Sequence, residues 1–147
     1  PIALFSQGIF RRTTMTTTAS YGHTKNLGQV DFEQAREQVI EALKANGFGV
    51  LTEIDVKATM KKKLDVDFRQ YRILGACNPK MAHQALTGEP LIGLLLPCNV
   101  TLMQEDDGSI NVSIIKPAEM FKVVDNPQVA PIAEQVDGML LKVLEAL

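Results

Sequence analysis

The residues with the widest chemical reach in this chain are two Cys-Asn pairs, Cys77-Asn78 and Cys98-Asn99. Each closes an apolar run, and each is flanked by a proline, Pro79 after the first and Pro97 before the second. If the two runs are neighbouring strands, two thiols and two amides converge at one place in a sheet, and that place is the candidate site. A cysteine just before a helix N-terminus lies beside unpaired backbone N–H groups and the positive end of the helix dipole, which favour the thiolate. With Cys77 attacking and Cys98 resolving, the pair would serve as a redox couple, or as half of a soft-metal site. The plainer account packs Cys77 as a small apolar residue at a strand end and places Cys98 on one face with Leu96 and Val100. Asn78 and Asn99 likewise have architectural accounts, as a helix cap and as a strand-end or bulge hydrogen bond, beside the alternative of orienting a ligand.

Carboxylates form the second constellation. Glu53 and Asp55 are two apart in a β-rich run, so they share a face and have the spacing of an acid/base pair. Asp55 is also placed to cap the helix that follows it. Glu53 stands between Thr52 and Ile54 in an otherwise apolar strand, and must face water, an arginine such as Arg72, or a ligand. His23 and His83 are the available imidazoles and read as solvated surface residues; neither has a zinc-like spacing, so no metal is expected. The sequence contains no nucleophile elbow, phosphate loop, dinucleotide fingerprint or H-E-x-x-H.

The elements that must position these groups are legible from periodicity and punctuation. A weak strand over residues 21–30 precedes Asp31, a helix cap, and Phe32, Ala35, Val39, Ala42 and Leu43 recur at helical steps until Asn46-Gly47 ends the helix. Phe48 to Ile54 reads as a strand. Asp55 then caps a basic helix over Val56 to Leu64, whose Lys57, Lys61, Lys62 and Lys63 are more simply a solvated face than an anion site. Gln70 to Cys77 is the next strand, and Asn78-Pro79 starts a short helix with Met81, Ala82, Ala85 and Leu86 inward. Leu91 to Met103 predicts a long strand, with Gly93 and Pro97 marking a bulge or an edge. Asp107-Gly108 predicts a two-residue turn into an antiparallel partner over Asn111 to Ile115. A loop with one helical turn covers Lys116 to Val124. The last helix follows Asn126-Pro127, distorted by Pro131 or starting near it, and carries an apolar face from Val129 to Leu147.

The chain is 147 residues long, a length suited to one domain, and its formal net charge of −2 gives no general attraction for nucleic acid or an anionic membrane. No apolar run approaches the roughly 20 residues that span a bilayer. Two cysteines are too few for a disulfide framework, so reduced thiols and a cytoplasmic, soluble protein are expected. Residues 1–20 are rich in Ser and Thr, and their Arg11-Arg12 pair follows the apolar residues, the reverse of a signal peptide. They read as an extension outside a single α+β domain at 21–147, with Ile2, Leu4, Phe5 and Phe10 available to dock on a surface or a second subunit.

The blocks GFGVLTEIDV at 47–56, ILGACNP at 73–79 and LLPCNV at 95–100, in that order, resemble the bacterial and archaeal family catalogued as domain of unknown function 302. The resemblance runs from about Tyr21 to Leu147. It implies the TATA-binding-protein-like α+β fold, a curved and mainly antiparallel sheet with helices packed on one face, and a homodimer. It implies no activity or cofactor, and likeness to a DNA-binding fold does not import DNA binding into a slightly acidic chain. The function expected is binding of a small ligand in a pocket near Glu53, Cys77, Asn78, Cys98 and Asn99. The alternatives are a thiol-dependent redox enzyme or sensor, and a purely structural homodimeric interaction module.

Overall fold

The structure, a computed structural model, describes residues 16–147. Residues 1–15 of the extension lie outside the described residues. Strand β1 (Gly22–Asn26) leads through Asp31 into helix α1 (Phe32–Ala45). Asp31 Oδ2 accepts the Gln34 N–H at 3.0 Å, which satisfies one of the free donors of the first turn. At the other end Gly47 takes φ +86°, a conformation with little penalty only for glycine. The Phe48 N–H then reaches Leu43 O at 2.9 Å and the Gly47 N–H reaches Lys44 O at 3.1 Å, a Schellman closure that turns the chain into β2 (Gly49–Asp55). Asp55 Oδ1 caps α2 (Val56–Leu64) through the Ala58 N–H at 2.9 Å, as the sequence implied. That helix buries no residue, in keeping with a lysine-rich solvated face.

Strand β3 (Tyr71–Cys77) is followed by α3 (Pro79–Gly88), a 3-10 helix (Pro90–Leu95), β4 (Cys98–Gln104) and β5 (Ile110–Ile115). The chain then makes α4 (Pro117–Met120), a 3-10 turn (Phe121–Val123) and α5 (Ala130–Glu145). The sheet is open and antiparallel throughout, in the order β1-β5-β4-β3-β2. Pro131 falls in the first turn of α5, where its missing N–H has no intrahelical partner to lose.

Two expectations need correction. The predicted strand from Leu91 to Met103 begins only at Cys98, and Pro90–Leu95 coil as a 3-10 helix, with Gly93 inside it. A continuous apolar run has no period that separates strand from helix, and Pro90 at the start favours the helical turn. Leu91 and Leu94, three apart and therefore aligned on a 3-10 helix, face outward while Ile92 is buried. The β4–β5 connection is also longer than two residues. Glu105 N–H bonds Ser109 O at 2.8 Å, enclosing Asp106, Asp107 and Gly108, and Gly108 sits at φ +86°.

One face of the sheet presents Leu74, Ala76, Cys98, Val100, Leu102, Val112 and Ile114, all buried. Over it lie Val39 and Leu43 from α1 and Val136, Leu140, Val143 and Leu144 from α5. A smaller cluster of Ala85, Ile92, Phe121, Val129 and Ala133 joins α3, the 3-10 segments and α5. The opposite face carries Thr24, Asn99, Thr101, Asn111 and Ser113, and a groove there is lined only by strand residues and the stretch from Thr17 to Tyr21. Thr17 is fastened in place: buried Glu105 accepts its backbone N–H at 2.7 Å and its hydroxyl at 3.0 Å, and Asn111 Nδ2 donates to its carbonyl at 2.8 Å. Among the described residues, no helix is long and apolar enough to cross a membrane.

Gly75 leaves no room for a side chain. A Cβ there would stand 2.1 Å from Thr52 Oγ1 and 2.6 Å from Pro97 Cγ. Gly75→Ala is expected to lower unfolding stability by roughly 1–3 kcal/mol, the usual range for forced overpacking, measured by urea denaturation. An unchanged midpoint would refute this packing.

Candidate functional site

The Ala76↔Cys98 register brings the C-terminal end of β3 against the first residue of β4, so the two Cys-Asn runs are indeed neighbours in the sheet. Their four residues do not all meet. Cys77, Asn78 and Cys98 line one cavity of about 310 Å³ at the sheet end, between α3, the 3-10 helix and α5. Asn99 pairs with Gly75, is exposed, and lines the groove on the other face. The physical reason is the alternation of a strand: if Cys98 faces the helices, its neighbour faces away.

Most of the cavity wall is hydrocarbon. Phe48, Ala76, Met81, Ala85, Leu96, Phe121 and Val136 are among the lining groups, and no charged side chain is. At the bulge where Val50 pairs with Ala76 and Thr52 with Gly75, one extra residue, Leu51, is left to line the cavity while remaining 67% exposed. Leu86 from α3 is a second partly exposed lining residue, and Leu91 and Leu94 continue the exposed apolar surface of the 3-10 helix. Of the α3 residues expected to face inward, Met81 and Ala85 are buried while Leu86 is 39% exposed, and the walls from Phe48, Phe121 and Val136 were not anticipated. These are ordinary core residues in periodicity, and only packing leaves a space beside them.

Asn78 caps α3, its Oδ1 accepting the Met81 N–H at 3.1 Å. Cys77 precedes that cap and is half-buried, and burial pushes its thiol pKa up. Cys98 is pushed up further, to about 11, by burial and then by the nearby Cys77 and Asp137. Both shifts oppose the activated thiolate considered from the sequence, since burial disfavours the charged form. Both cysteines are free.

Glu53 lies elsewhere. It pairs with Leu74 in β2–β3 register and faces α1, where it binds Arg36 through Nε and through Nη2 at 2.7 Å and accepts from Arg72 Nη1 at 2.9 Å. Arg72 also reaches Glu33 at 3.0 Å and Asp55 at 3.5 Å, and its guanidinium stands 5.6 Å from the Phe32 ring centroid. The Arg36 hydrogen bond, aided by Arg72, holds Glu53 down at about 2. Glu53 is therefore an ionised staple between α1 and the edge strand rather than an acid/base group, and Arg72 is one of the three possible partners considered for it. Arg36 lies off α1's apolar stripe in the helical period, and that period cannot reveal that an edge-strand carboxylate lies beneath it.

His23 also departs from expectation. Its Nε2 contacts Asp137 Oδ1 at 2.7 Å, with only 16% of the side chain exposed, and Asp137 Oδ2 accepts the Ala118 N–H at 3.1 Å. A lone histidine in a weak strand gives no sign of a partner on a helix more than a hundred residues away. His83 is exposed, as expected.

The architecture and cavity define a class: a small α+β domain with an open antiparallel sheet, helices laid against one face, and a hydrocarbon-walled space where two strands end. The chain belongs to the family described as Domain of unknown function DUF302, whose model matches residues 23–147. Its structure is similar to the crystal structure of an uncharacterized conserved protein DUF302 from Bacillus stearothermophilus, with a TM-score of 0.79 and 29% identity, covering 87% of this chain and 98% of that one. No curated protein matches the sequence.

The Glu53 cluster generates a pH prediction. A carboxyl whose folded pKa is depressed adds stability above its unfolded value and loses it as pH falls through the folded value, here from about 4.5 to about 2. Glu53→Gln should cost about 1 kcal/mol at pH 7, discounted for the solvent that reaches the pair, and should flatten the acid limb of the stability curve. Parallel acid limbs for the two proteins in urea titrations would contradict this.

Proposed function

We propose that this protein binds a small ligand in the cavity shared by Cys77, Asn78 and Cys98. The observation that carries this reading is the convergence of both apolar runs on one space of about 310 Å³. That volume falls at the lower end of the roughly 300–1,000 Å³ typical of small-molecule sites, and such sites are usually apolar with a few placed polar groups. Glu53 belongs to the ion-pair cluster and Asn99 to the opposite face, so neither takes part in the proposed site. A thiol-dependent reaction receives less support, because burial raises both thiol pKa values and disfavours the nucleophilic thiolate.

Ala82 lines the cavity from α3. Ala82→Phe is expected to reduce binding of the neutral apolar fluorophore N-phenyl-1-naphthylamine at least tenfold, with the circular dichroism spectrum retained. Equal binding by a folded variant would overturn the reading.

A second reading concerns a second copy of the chain. Ile54, 49% exposed, lies in register with Ile73 and Thr101 on the sheet face opposite α1 and α5, and the ring of Phe68, 39% exposed, stands 6.3 Å from that of Tyr71 in the same strand as Ile73; this apolar surface beside the β2 edge supports pairing of protomers. Light scattering at micromolar concentration is expected to give the dimer mass, and a monomer mass would end this proposal.

A further inference from the structure

The lining also restricts what the ligand can be. Among the lining residues there is no Asp, Glu, Lys, Arg or His, and the only side-chain amide is that of Asn78. Both thiols carry their protons at neutral pH, because burial raises each pKa. An ion moved from water into such surroundings would lose hydration with no charged group in the lining to replace it. A molecule made of hydrocarbon meets Met81, Leu96 and Phe121 at no such cost and gains by leaving water.

The amide of Asn78 adds direction. Its Oδ1 is already committed to the Met81 N–H, and that bond fixes which end of the amide is oxygen. Nδ2 has no hydrogen-bond partner among the described residues, and it lies 3.0 Å from where a Cβ on Gly47 would stand, so the absent side chain leaves it room. Its unpartnered Nδ2 makes Asn78 a donor toward the cavity's contents, beside whatever second lone pair Oδ1 retains. The matching group on a ligand is an acceptor, such as a carbonyl, ether or hydroxyl oxygen.

Resting on the pocket reading above, we propose that the cavity takes an uncharged, mainly hydrocarbon molecule with one hydrogen-bond-accepting oxygen, which is met by Asn78 Nδ2. Leu51 and Leu86, both part of the lining and partly exposed, supply apolar contact for a chain too long to be enclosed.

The test uses the full chain labelled at its methyl groups and titrated by NMR with four probes of equal chain length: a medium-chain methyl ketone, the alkane, the alkanoate and the alkylammonium. The ketone is expected to shift the methyl signals of Met81, Ala82, Ala85 and Ile132, and the two ions to bind at least tenfold more weakly. Asn78→Asp keeps a cap acceptor for the Met81 N–H but removes the donor, so the ratio of ketone to alkane affinity should fall at least fivefold. An ion that binds as well as the ketone, with the same methyls shifted, would overturn the ligand class and leave the pocket standing. Ketone and alkane binding alike, with no change of ratio in Asn78→Asp, would overturn the role of Asn78. If no probe shifts those methyls, both the class and the pocket reading fail.

Discussion

The pairing of β3 with β4 is the constraint on which the rest of this structure depends. Its register sets Ala76 against Cys98, Leu74 against Val100 and Arg72 against Leu102. That single alignment puts the buried residues of both strands on the face that α1 and α5 cover. A slip of one residue would send the whole set to the opposite face, so the hydrophobic pattern itself enforces the register. Gly75 guards the alignment from the other side, because Thr52 and Pro97 occupy the space that any side chain there would need.

From that register the two centres separate. At the strand ends the chain leaves the sheet, through Asn78 into α3 on one side and from Pro97 on the other, and the departure opens the cavity. Toward the other end of β3, Arg72 remains on the helix-facing side beside Glu53 of the edge strand, where α1 brings Arg36 and Glu33 over them. One centre is apolar and uncharged, the other a compact set of ion pairs. Their separation follows from how far each residue lies from the sheet edge and end, and it divides a group of residues that the sequence places within one candidate site.

The family relationship fits this picture without adding chemistry to it. A domain of unknown function supplies a shared architecture, and a similar crystal structure at 29% identity supplies a second instance of it. Function has to be argued from the site, and here the site is distinguished by its lack of charge as much as by its thiols.

Much of the fold was legible in the amino-acid sequence because it rests on short-range physics. Asp31, Asp55 and Asn78 announce helices by offering a side-chain oxygen to free N–H groups, Gly47 ends one by taking positive φ, and the stripe from Val129 to Leu144 marks a helix that must cover a sheet. The meeting of the two Cys-Asn runs was also readable, as a consequence of adjacent strands. The 3-10 helix at Pro90–Leu95 was not, since an unbroken apolar run has no period to read. Nor was the dispersal of Glu53 and Asn99, the His23–Asp137 contact, or the cavity itself. Each depends on which residues distant in the chain come to lie together, and a linear pattern specifies the face a residue turns to the core without specifying what waits there. The sequence by itself determined the elements and their buried faces; only the tertiary packing decided that Cys77 and Cys98 border an uncharged space while Glu53 is held between two arginines.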